Sequence, residues 1–343
     1  MASKESDYLQ TKVQAGTGWV FLNRPQSLNA LSFDMVCGLQ VILDRWKNDA
    51  AVTQVVIAGT GRAFCAGGDI RAFHRLKTLG EADEIDAYFR AEYRLNETIG
   101  HYPKPYISLL TGITMGGGMG ISIHGSHRIV HPEATFAMPE VLIGFFPDAG
   151  ATYFLQKCPG QIGRYLGLTG ETLQSADGMY AGFGTHYVPA EKWDAFVAAL
   201  ATGLPVDPLL AQYQEAPPVG TLSARRDLID TLFCGDDFQG MMQGLESSQD
   251  PWVQDVHTQL LTRSPTSLRV TFAHQQRAVG KSLSLIMALE LALSDHFVWD
   301  HDFEEGVRAR LVDKDNNPEW QPGHWSEVSG KTIDRYMTLP ESV

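Results

Sequence analysis

The feature that most constrains the fold is an alternation of short apolar runs, glycine-rich loops and helical patterns over the first 190 residues. The runs QVVIAGT (54–60) and PYISLLTG (105–112) have the length and composition of buried strands. Residues 82–100 carry apolar side chains at helical spacing, and another helical pattern follows Ser32, a typical N-cap residue. Strands that alternate with helices along a chain indicate an α/β fold.

The composition of the chain changes beyond residue 190. Helical patterns such as AEKWDAFVAAL and SLSLIMALELALSDHF dominate there, and a proline-rich stretch at 202–221 marks a boundary. A length of 343 residues also predicts about two domains, at about 150 residues each. We therefore predict an α/β core over residues 1–201 and a mainly helical region over residues 202–343.

Charge and cysteine content exclude several classes of protein. A formal net charge of −13 argues against nucleic acid or an anionic membrane surface as a partner, although backbone N–H groups can still hold a phosphorylated ligand. No apolar stretch approaches the roughly 20 residues that a membrane helix needs, and the start, MASKESDYLQ, is polar, so we expect a cytoplasmic protein. The four cysteines lack CxxC spacing, which argues against a disulfide framework or a zinc site.

Two glycine clusters, AGGD (66–69) and MGGGMG (115–120), each follow a predicted strand and precede a predicted helix. Such positions leave backbone N–H groups available to an oxyanion or a phosphate, and glycine lets a ligand approach the backbone closely. Neither cluster is a P-loop or a dinucleotide fingerprint. Close packing of a helix is the alternative explanation for each cluster.

The predicted helix at 82–100 presents a carboxylate on its apolar face. Glu92 falls on the same stripe as five apolar side chains: Ile85, Tyr88, Phe89, Leu95 and Ile99. A carboxylate on a buried face is costly unless it is paired or needed. Glu92 is therefore either part of a buried polar site or the partner of an inward-facing arginine.

Two further acids flank the apolar run in MPEVLIGFFPDAG (138–150). Glu140 comes just after a predicted strand, and Asp148 precedes a helical pattern, where it would serve well as an N-cap. The residues alone leave capping and catalysis open for Asp148.

The histidines and serines of this region predict neither a metal site nor a catalytic triad. His124, His127 and His131 lack metal-site spacing, and Ser122 does not face His124 on a helix. We expect no metal site.

Taken together, several motifs resemble the enoyl-CoA hydratase/isomerase (crotonase) superfamily over nearly the whole chain. They are, in order, LNRPQSLNALS, FCAGGDIRAF, GITMGGGMGISIHGSHRIV and FAMPEVLIGFFPDAGATYFL. The tail, from SPTSL to HDFEEGVRARLVDKDNNPEW, resembles the thioester-hydrolase branch of that superfamily. The resemblance implies a ββα spiral core with a helical C-terminal region.

The resemblance also assigns roles to particular residues. It implies that the backbone N–H groups of Gly68 and Gly117 form an oxyanion hole and that Glu140 and Asp148 are catalytic. It implies that Glu92, with Gly117, Glu140 and Asp148, binds the substrate. A coenzyme A moiety would lie against the backbone of five residues of the core: Ala66, Gly67, Gly68, Asp69 and Ile70.

One departure from the superfamily bears on the reaction. Hydratases of this superfamily place a second glutamate three residues after the second oxyanion glycine, and this chain has Gly120 there. The resemblance therefore implies thioester hydrolysis of 3-hydroxyisobutyryl-CoA, or of a close short-chain 3-hydroxyacyl-CoA, in valine breakdown. The alternatives are hydration or isomerisation of an enoyl-CoA, and a non-catalytic CoA-binding protein.

In thioester hydrolysis coenzyme A is part of the substrate, and no separate cofactor is expected. A homo-oligomer based on trimers is a further expectation.

Overall fold

A computed structural model describes residues 7–338 of the chain. The chain forms two compact units that interleave in sequence. The first unit contains the chain up to Asp69 together with Arg90–Ala137 and Thr172–Ser223, and the second contains Ile70–Phe89, Met138–Glu171 and the chain from Ala224 onward. The division predicted between residues 201 and 202 differs from these two units. It separates the chain by secondary structure instead, since the described elements beyond Leu200 are helical.

The described residues contain the following elements. The strands are β1 (Leu9–Gln14), β2 (Thr17–Leu22), β3 (Gln54–Gly59), β4 (Ala63–Cys65), β5 (Tyr106–Leu110), β6 (Ile113–Met115), β7 (His127–Val130), β8 (Thr135–Ala137), β9 (Leu173–Gln174) and β10 (His186–Tyr187). The helices are α1 (Phe33–Lys47), α2 (Ile70–Leu79), α3 (Ala82–Gly100), α4 (Gly117–Ile123), α5 (Ala151–Leu155), α6 (Ile162–Thr169), α7 (Ser175–Tyr180), α8 (Ala190–Leu200), α9 (Val206–Tyr213), α10 (Arg226–Leu232), α11 (Phe238–Ser247), α12 (Pro251–Leu261), α13 (Pro265–Arg277), α14 (Leu283–Phe297), α15 (His301–Val307) and α16 (Gly330–Tyr336). Short 3₁₀ helices cover Pro25–Ser27, Glu140–Ile143, Leu222–Arg225 and Trp325–Glu327, and a π-helical turn covers Arg308–Val312.

The larger sheet of the first unit has the strand order β1-β2-β3-β5-β7-β10. β1 pairs antiparallel with β2, and the other neighbours are parallel, for example with Ile57 opposite Ser108. All five residues of β5 are buried, as expected for a central parallel strand covered on both faces. The predicted strands at 54–60 and 105–112 are confirmed.

The smaller sheet has the order β4-β6-β8-β9, and its first three strands are parallel. In sequence, β3, β5 and β7 of the larger sheet are each followed by one strand of the smaller sheet, namely β4, β6 and β8. A helix then follows each pair. This repeated turn of two strands and a helix is the predicted ββα spiral, so the predicted α/β fold class is confirmed.

Helices cover the larger sheet on the side of Trp19. Side chains of α8 and α9, among them Phe196, Leu200 and Leu210, pack with Trp19 and Ile107 into one buried cluster. α1 begins where the sequence predicts, since Ser32 Oγ accepts a hydrogen bond from Met35 N at 3.3 Å. Burial of these apolar faces stabilises the unit at about 25 cal/mol per Å² removed from water.

The second unit has an aromatic core. The ring of Phe145 lies 5.6 Å from Phe89, 5.6 Å from Phe297 and 5.2 Å from Phe303, centroid to centroid. Phe146 stacks at 5.1 Å on Phe297. The apolar run between Glu140 and Asp148 is therefore anchored by its two phenylalanines among helices that come much later in the chain.

None of the helices in residues 7–338 is long and apolar enough to cross a membrane.

Candidate active site

The glycine loop at 66–69 runs beside residues 28–31 of the first unit. Ala66 N donates to Leu28 O at 3.0 Å, Leu31 N donates to Gly67 O at 2.8 Å, and Asp69 N donates to Leu31 O at 2.9 Å. Gly67 has φ +105°, a backbone conformation that residues other than glycine rarely adopt. The loop is thus held by its own backbone, which fixes the direction of the Gly68 N–H.

Asn29 lies in the stretch 28–31 that pairs with this loop, and it was not identified from the sequence. It is fully buried with φ +57°. Its Oδ1 accepts from Arg24 N at 2.8 Å, and its Nδ2 donates to Thr60 O at 2.9 Å and to Ala63 O at 2.8 Å. The only signal in the sequence is an asparagine, a residue tolerant of left-handed backbone, inside the quoted motif LNRPQSLNALS.

The second glycine cluster lies against the first. Gly116, at φ +52° and ψ −126°, is the N-cap of α4, and Gly116 N donates to Ala137 O at 3.2 Å. A methyl group built on Gly117 would overlap Glu92 Oε1 and lie 3.4 Å from Gly68 N. The structure therefore brings Gly68, Gly117 and Glu92 together.

Glu92 is buried with the apolar stripe that predicted it. The side chain is 2% exposed, and all five apolar residues of the stripe are buried as well. The neighbouring thiol, Cys65, has its pKa raised to about 12, first by burial and then by the charge of Glu92. Cys65 therefore stays protonated at neutral pH and is not a nucleophile here.

Glu140 belongs to the second unit, at the start of the 3₁₀ helix Glu140–Ile143, and is 8% exposed. That helix ends at Gly144, in the left-handed region at φ +71°. A methyl group on Gly144 would overlap the carbonyl oxygen of Asp302, in α15. The turn that carries Glu140 is thus packed backbone to backbone against a helix from the C-terminal region.

The N-cap interpretation of Asp148 is wrong. The helix that follows, α5, begins at Ala151, and the residue at the N-cap position is Gly150, which has no side chain to cap the helix. Gly150 N instead donates to Glu290 Oε2 at 2.6 Å, and Thr152 N donates to Glu290 Oε1 at 3.3 Å. Asp148 is 6% exposed and lies two residues before the N-cap. A carboxylate from a helix far along the chain does the capping.

The residues predicted to contact coenzyme A form a continuous segment. Ala66, Gly67, Gly68 and Asp69 belong to the first unit, and Ile70 begins α2 of the second. The Asp69 carboxylate pairs with Arg24 Nη1 at 2.8 Å. Within residues 7–338, no group of three or more His, Cys, Asp and Glu side chains has an arrangement that could hold a metal ion.

The two-sheet spiral, with a pair of glycine N–H groups beside a buried carboxylate, defines a crotonase-like protein. The sequence model of the enoyl-CoA hydratase/isomerase family matches residues 17–337. The chain belongs to the enoyl-CoA hydratase/isomerase family. The resemblance predicted from the motifs is confirmed.

Relatives of known name share nearly the full length. The chain is 38% identical to "3-hydroxyisobutyryl-CoA hydrolase, mitochondrial" of Danio rerio, over 99% of this chain and 92% of that protein. It is 37% identical to 3-hydroxyisobutyryl-CoA hydrolase 1 of Arabidopsis thaliana, over 93% of this chain and 88% of the relative. Among solved structures, a carnitinyl-CoA dehydratase from Mycobacterium thermoresistibile superposes with a TM-score of 0.93 at 37% identity, covering 98% of each chain. An enoyl-CoA hydratase from Rhodobacter sphaeroides superposes with a TM-score of 0.91 at 35% identity, covering 97% of this chain and 98% of that one.

Proposed function

We propose that this protein is an acyl-CoA thioester hydrolase that cleaves 3-hydroxyisobutyryl-CoA, or a close short-chain 3-hydroxyacyl-CoA, with water to give the free acid and coenzyme A. The observation that carries the proposal is the cluster of Gly68, Gly117 and Glu92, where two glycine backbones approach each other beside a buried carboxylate. The names of the curated relatives support the same reaction.

The first chemical requirement is stabilisation of negative charge on the thioester oxygen. We assign this to the N–H groups of Gly68 and Gly117, which the loop hydrogen bonds and the close approach of the two glycines hold in fixed directions. Fixed donors need no reorganisation as the charge develops, and loss of one such donor typically costs about 10²–10³ in rate. Because both donors are backbone groups, a side chain at Gly117 obstructs the site.

The second requirement is an attacking group. We assign it to Glu140, which either attacks the carbonyl carbon and expels the CoA thiolate, forming a mixed anhydride that water then hydrolyses, or removes a proton from the attacking water. In both routes one water is consumed and the departing sulfur gains one proton. Asp148 either supplies that proton or binds the 3-hydroxyl group, and Glu92 contacts the acyl portion.

The alternative reaction is addition of water to an enoyl-CoA, since the two structural neighbours with the highest TM-scores quoted above carry the names of a dehydratase and a hydratase. Gly120 counts against it. Gly120 is buried in α4, where its N–H donates to Gly116 O at 3.1 Å. Because it is a glycine, this position offers no side chain to exchange a proton. Thioester cleavage needs no such group.

The test is an assay of purified protein against 3-hydroxyisobutyryl-CoA, its deoxy analogue isobutyryl-CoA, and an enoyl-CoA. Release of free thiol from the hydroxyacyl thioester, detected with a thiol-reactive dye, is the expected result. Loss of the enoyl absorbance without release of thiol would show a hydratase instead. Binding of all three thioesters without turnover would leave only a CoA-binding protein.

Several associated expectations stay predictions. Coenzyme A enters as part of the substrate, and we propose no separate cofactor, no metal, and neither nucleic acid nor membrane as a partner. A homo-oligomer based on trimers also stays a prediction, as does residence in the cytoplasm. The word mitochondrial belongs to the names of the animal relatives.

A further inference from the structure

The turn that carries Asp148 has an unusual backbone. Ala149 and Gly150, the two residues after it, both lie in the left-handed region, at φ +55° and +80°. An alanine rarely adopts this conformation, so the surrounding structure must hold it there. The following helix, α5, is only five residues long and has a glycine at its N-cap, so it provides little support for the turn by itself.

Glu290 supports the turn from another helix. Its side chain comes from the middle of α14, is fully buried, and presents both carboxylate oxygens to the backbone of the turn, one to Gly150 N and one to Thr152 N. A carboxylate removed from water is costly unless hydrogen-bonded, and these two backbone donors, 140 and 138 residues away in sequence, account for its position. His274 of α13, also buried, places Nε2 3.6 Å from Glu290 Oε1.

We propose that Glu290 is a positioning residue for Asp148, acting through the Ala149–Gly150 backbone, with His274 as the partner that orients Glu290. The inference rests on the catalytic role proposed above for Asp148. We assign neither residue a contact with substrate, because both carboxylate oxygens of Glu290 accept backbone N–H groups and Nε2 of His274 faces Glu290.

The backbone of the turn determines where the side chain of Asp148 points. The backbone dihedrals at 148–150 set the direction of the Asp148 Cα–Cβ bond, and the two hydrogen bonds to Glu290 fix the end of that segment. Catalytic groups must be held within about 0.5 Å of the productive geometry, and a displacement of about 1 Å can cost about 10²-fold in rate. A loosened turn should therefore lower turnover even when the fold survives.

The experiment compares Glu290→Gln, Asp148→Asn and the double variant. Glutamine keeps the shape of the side chain but turns an amide N–H₂ toward one of the two backbone donors. We expect Glu290→Gln to lower kcat about tenfold or more with KM changed less than about threefold. If Glu290 acts through Asp148, the double variant should be no slower than Asp148→Asn alone, within about threefold.

A matched control separates positioning from simple capping. Asp230 of α10 accepts a hydrogen bond from Gln161 N at 2.7 Å and so supports the start of α6 from a distant helix, in the same unit. Asp230→Asn should lower the melting temperature and leave kcat unchanged. Should Glu290→Gln fail to fold, His274→Gln carries the test, with an expected fall in kcat of about threefold that again disappears in combination with Asp148→Asn.

The outcomes are distinct. A wild-type protein that releases no thiol contradicts the proposed function. An active wild type whose Glu290→Gln variant melts lower but keeps kcat within twofold, or whose double variant shows the product of the two single losses, overturns the positioning role. An Asp148→Asn variant with normal turnover overturns it too, since Glu290 would then have no catalytic side chain to position.

Discussion

The glycine loops of the first unit and the acid-bearing segment of the second are held in opposite ways. The loop at 66–69 hydrogen-bonds, backbone to backbone, to a stretch of chain fewer than forty residues earlier. The turn at 148–150 depends on a side chain 140 residues later, and the turn that carries Glu140 rests on α15, which begins at His301. A glycine loop can thus be fixed by backbone hydrogen bonds to nearby chain, whereas the segment that carries Glu140 and Asp148 is supported by distant helices.

The largest expected effect is loss of the Glu140 charge. Glu140→Gln keeps the shape of the side chain and should lower turnover at least about 10³-fold while leaving binding of acyl-CoA nearly intact. Glu133→Gln, an exposed carboxylate seven residues earlier, is the control and should be as active as wild type. Hydrolysis by Glu140→Gln within tenfold of wild type would remove Glu140 from the mechanism.

The next effect tests the backbone-built side of the comparison. Gly117→Ala places a methyl group against Glu92 Oε1 and beside Gly68 N, so turnover should fall about 10²–10³-fold, as for a lost oxyanion donor. Gly244→Ala in α11 is the control, because its new Cβ would meet only Leu232 at 3.8 Å. The control should stabilise the protein by up to about 1 kcal/mol. An active Gly117→Ala enzyme would mean that the oxyanion assignment is wrong.

Asp148→Asn sharpens the contrast between support and chemistry. Because the N-cap position belongs to Gly150 and Glu290 accepts its N–H, the variant should keep its melting temperature yet lose about 10²-fold in turnover, as expected for an acid–base group. The loss should be larger for 3-hydroxyisobutyryl-CoA than for isobutyryl-CoA if Asp148 binds the hydroxyl group. Equal losses on the two thioesters would leave only the proton-transfer role.

Asn29→Ala probes the stretch 28–31, whose backbone holds the glycine loop. The change leaves Arg24 N, Thr60 O and Ala63 O without their buried partner and puts alanine at φ +57°, so unfolding in denaturant should show a loss of about 2–3 kcal/mol. Asn316→Ala has a similar backbone, at φ +54°, on an exposed residue, and should cost about 1 kcal/mol. Equal losses would mean that backbone conformation alone accounts for Asn29.

The smallest effect is expected at Ala149. Glycine adopts φ +55° without strain, but it also gives the unfolded chain more freedom, and the two effects oppose each other. Ala149→Gly should therefore change the free energy of unfolding by less than about 1 kcal/mol in either direction. With Glu290 in place, kcat should stay within about threefold of wild type. A large fall in kcat would show that the side chain of Ala149, rather than Glu290, holds the turn.

Local patterns predicted much of this protein. The apolar runs predicted β3 and β5, Ser32 predicted the start of α1, and one carboxylate on an apolar stripe predicted that Glu92 is buried. The two glycine clusters lie at the loop and the helix start that their motifs predicted. Such local features are readable from sequence because glycine conformations and helix periodicity depend on neighbouring residues. The family, the fold class and the candidate residues were therefore accessible from the sequence.

Only the tertiary structure decided how those residues are held. The sequence suggested Asp148 as the N-cap of the following helix. In the structure Gly150 occupies the N-cap position of α5, and Glu290, a residue of α14, accepts its N–H. The hydrogen bond from Asn29 to Ala63, the contact of Gly144 with α15 and the burial of His274 beside Glu290 likewise join segments far apart in the chain. The physical reason is that a hydrogen bond or a close contact depends on distance in space, and a single sequence records only distance along the chain.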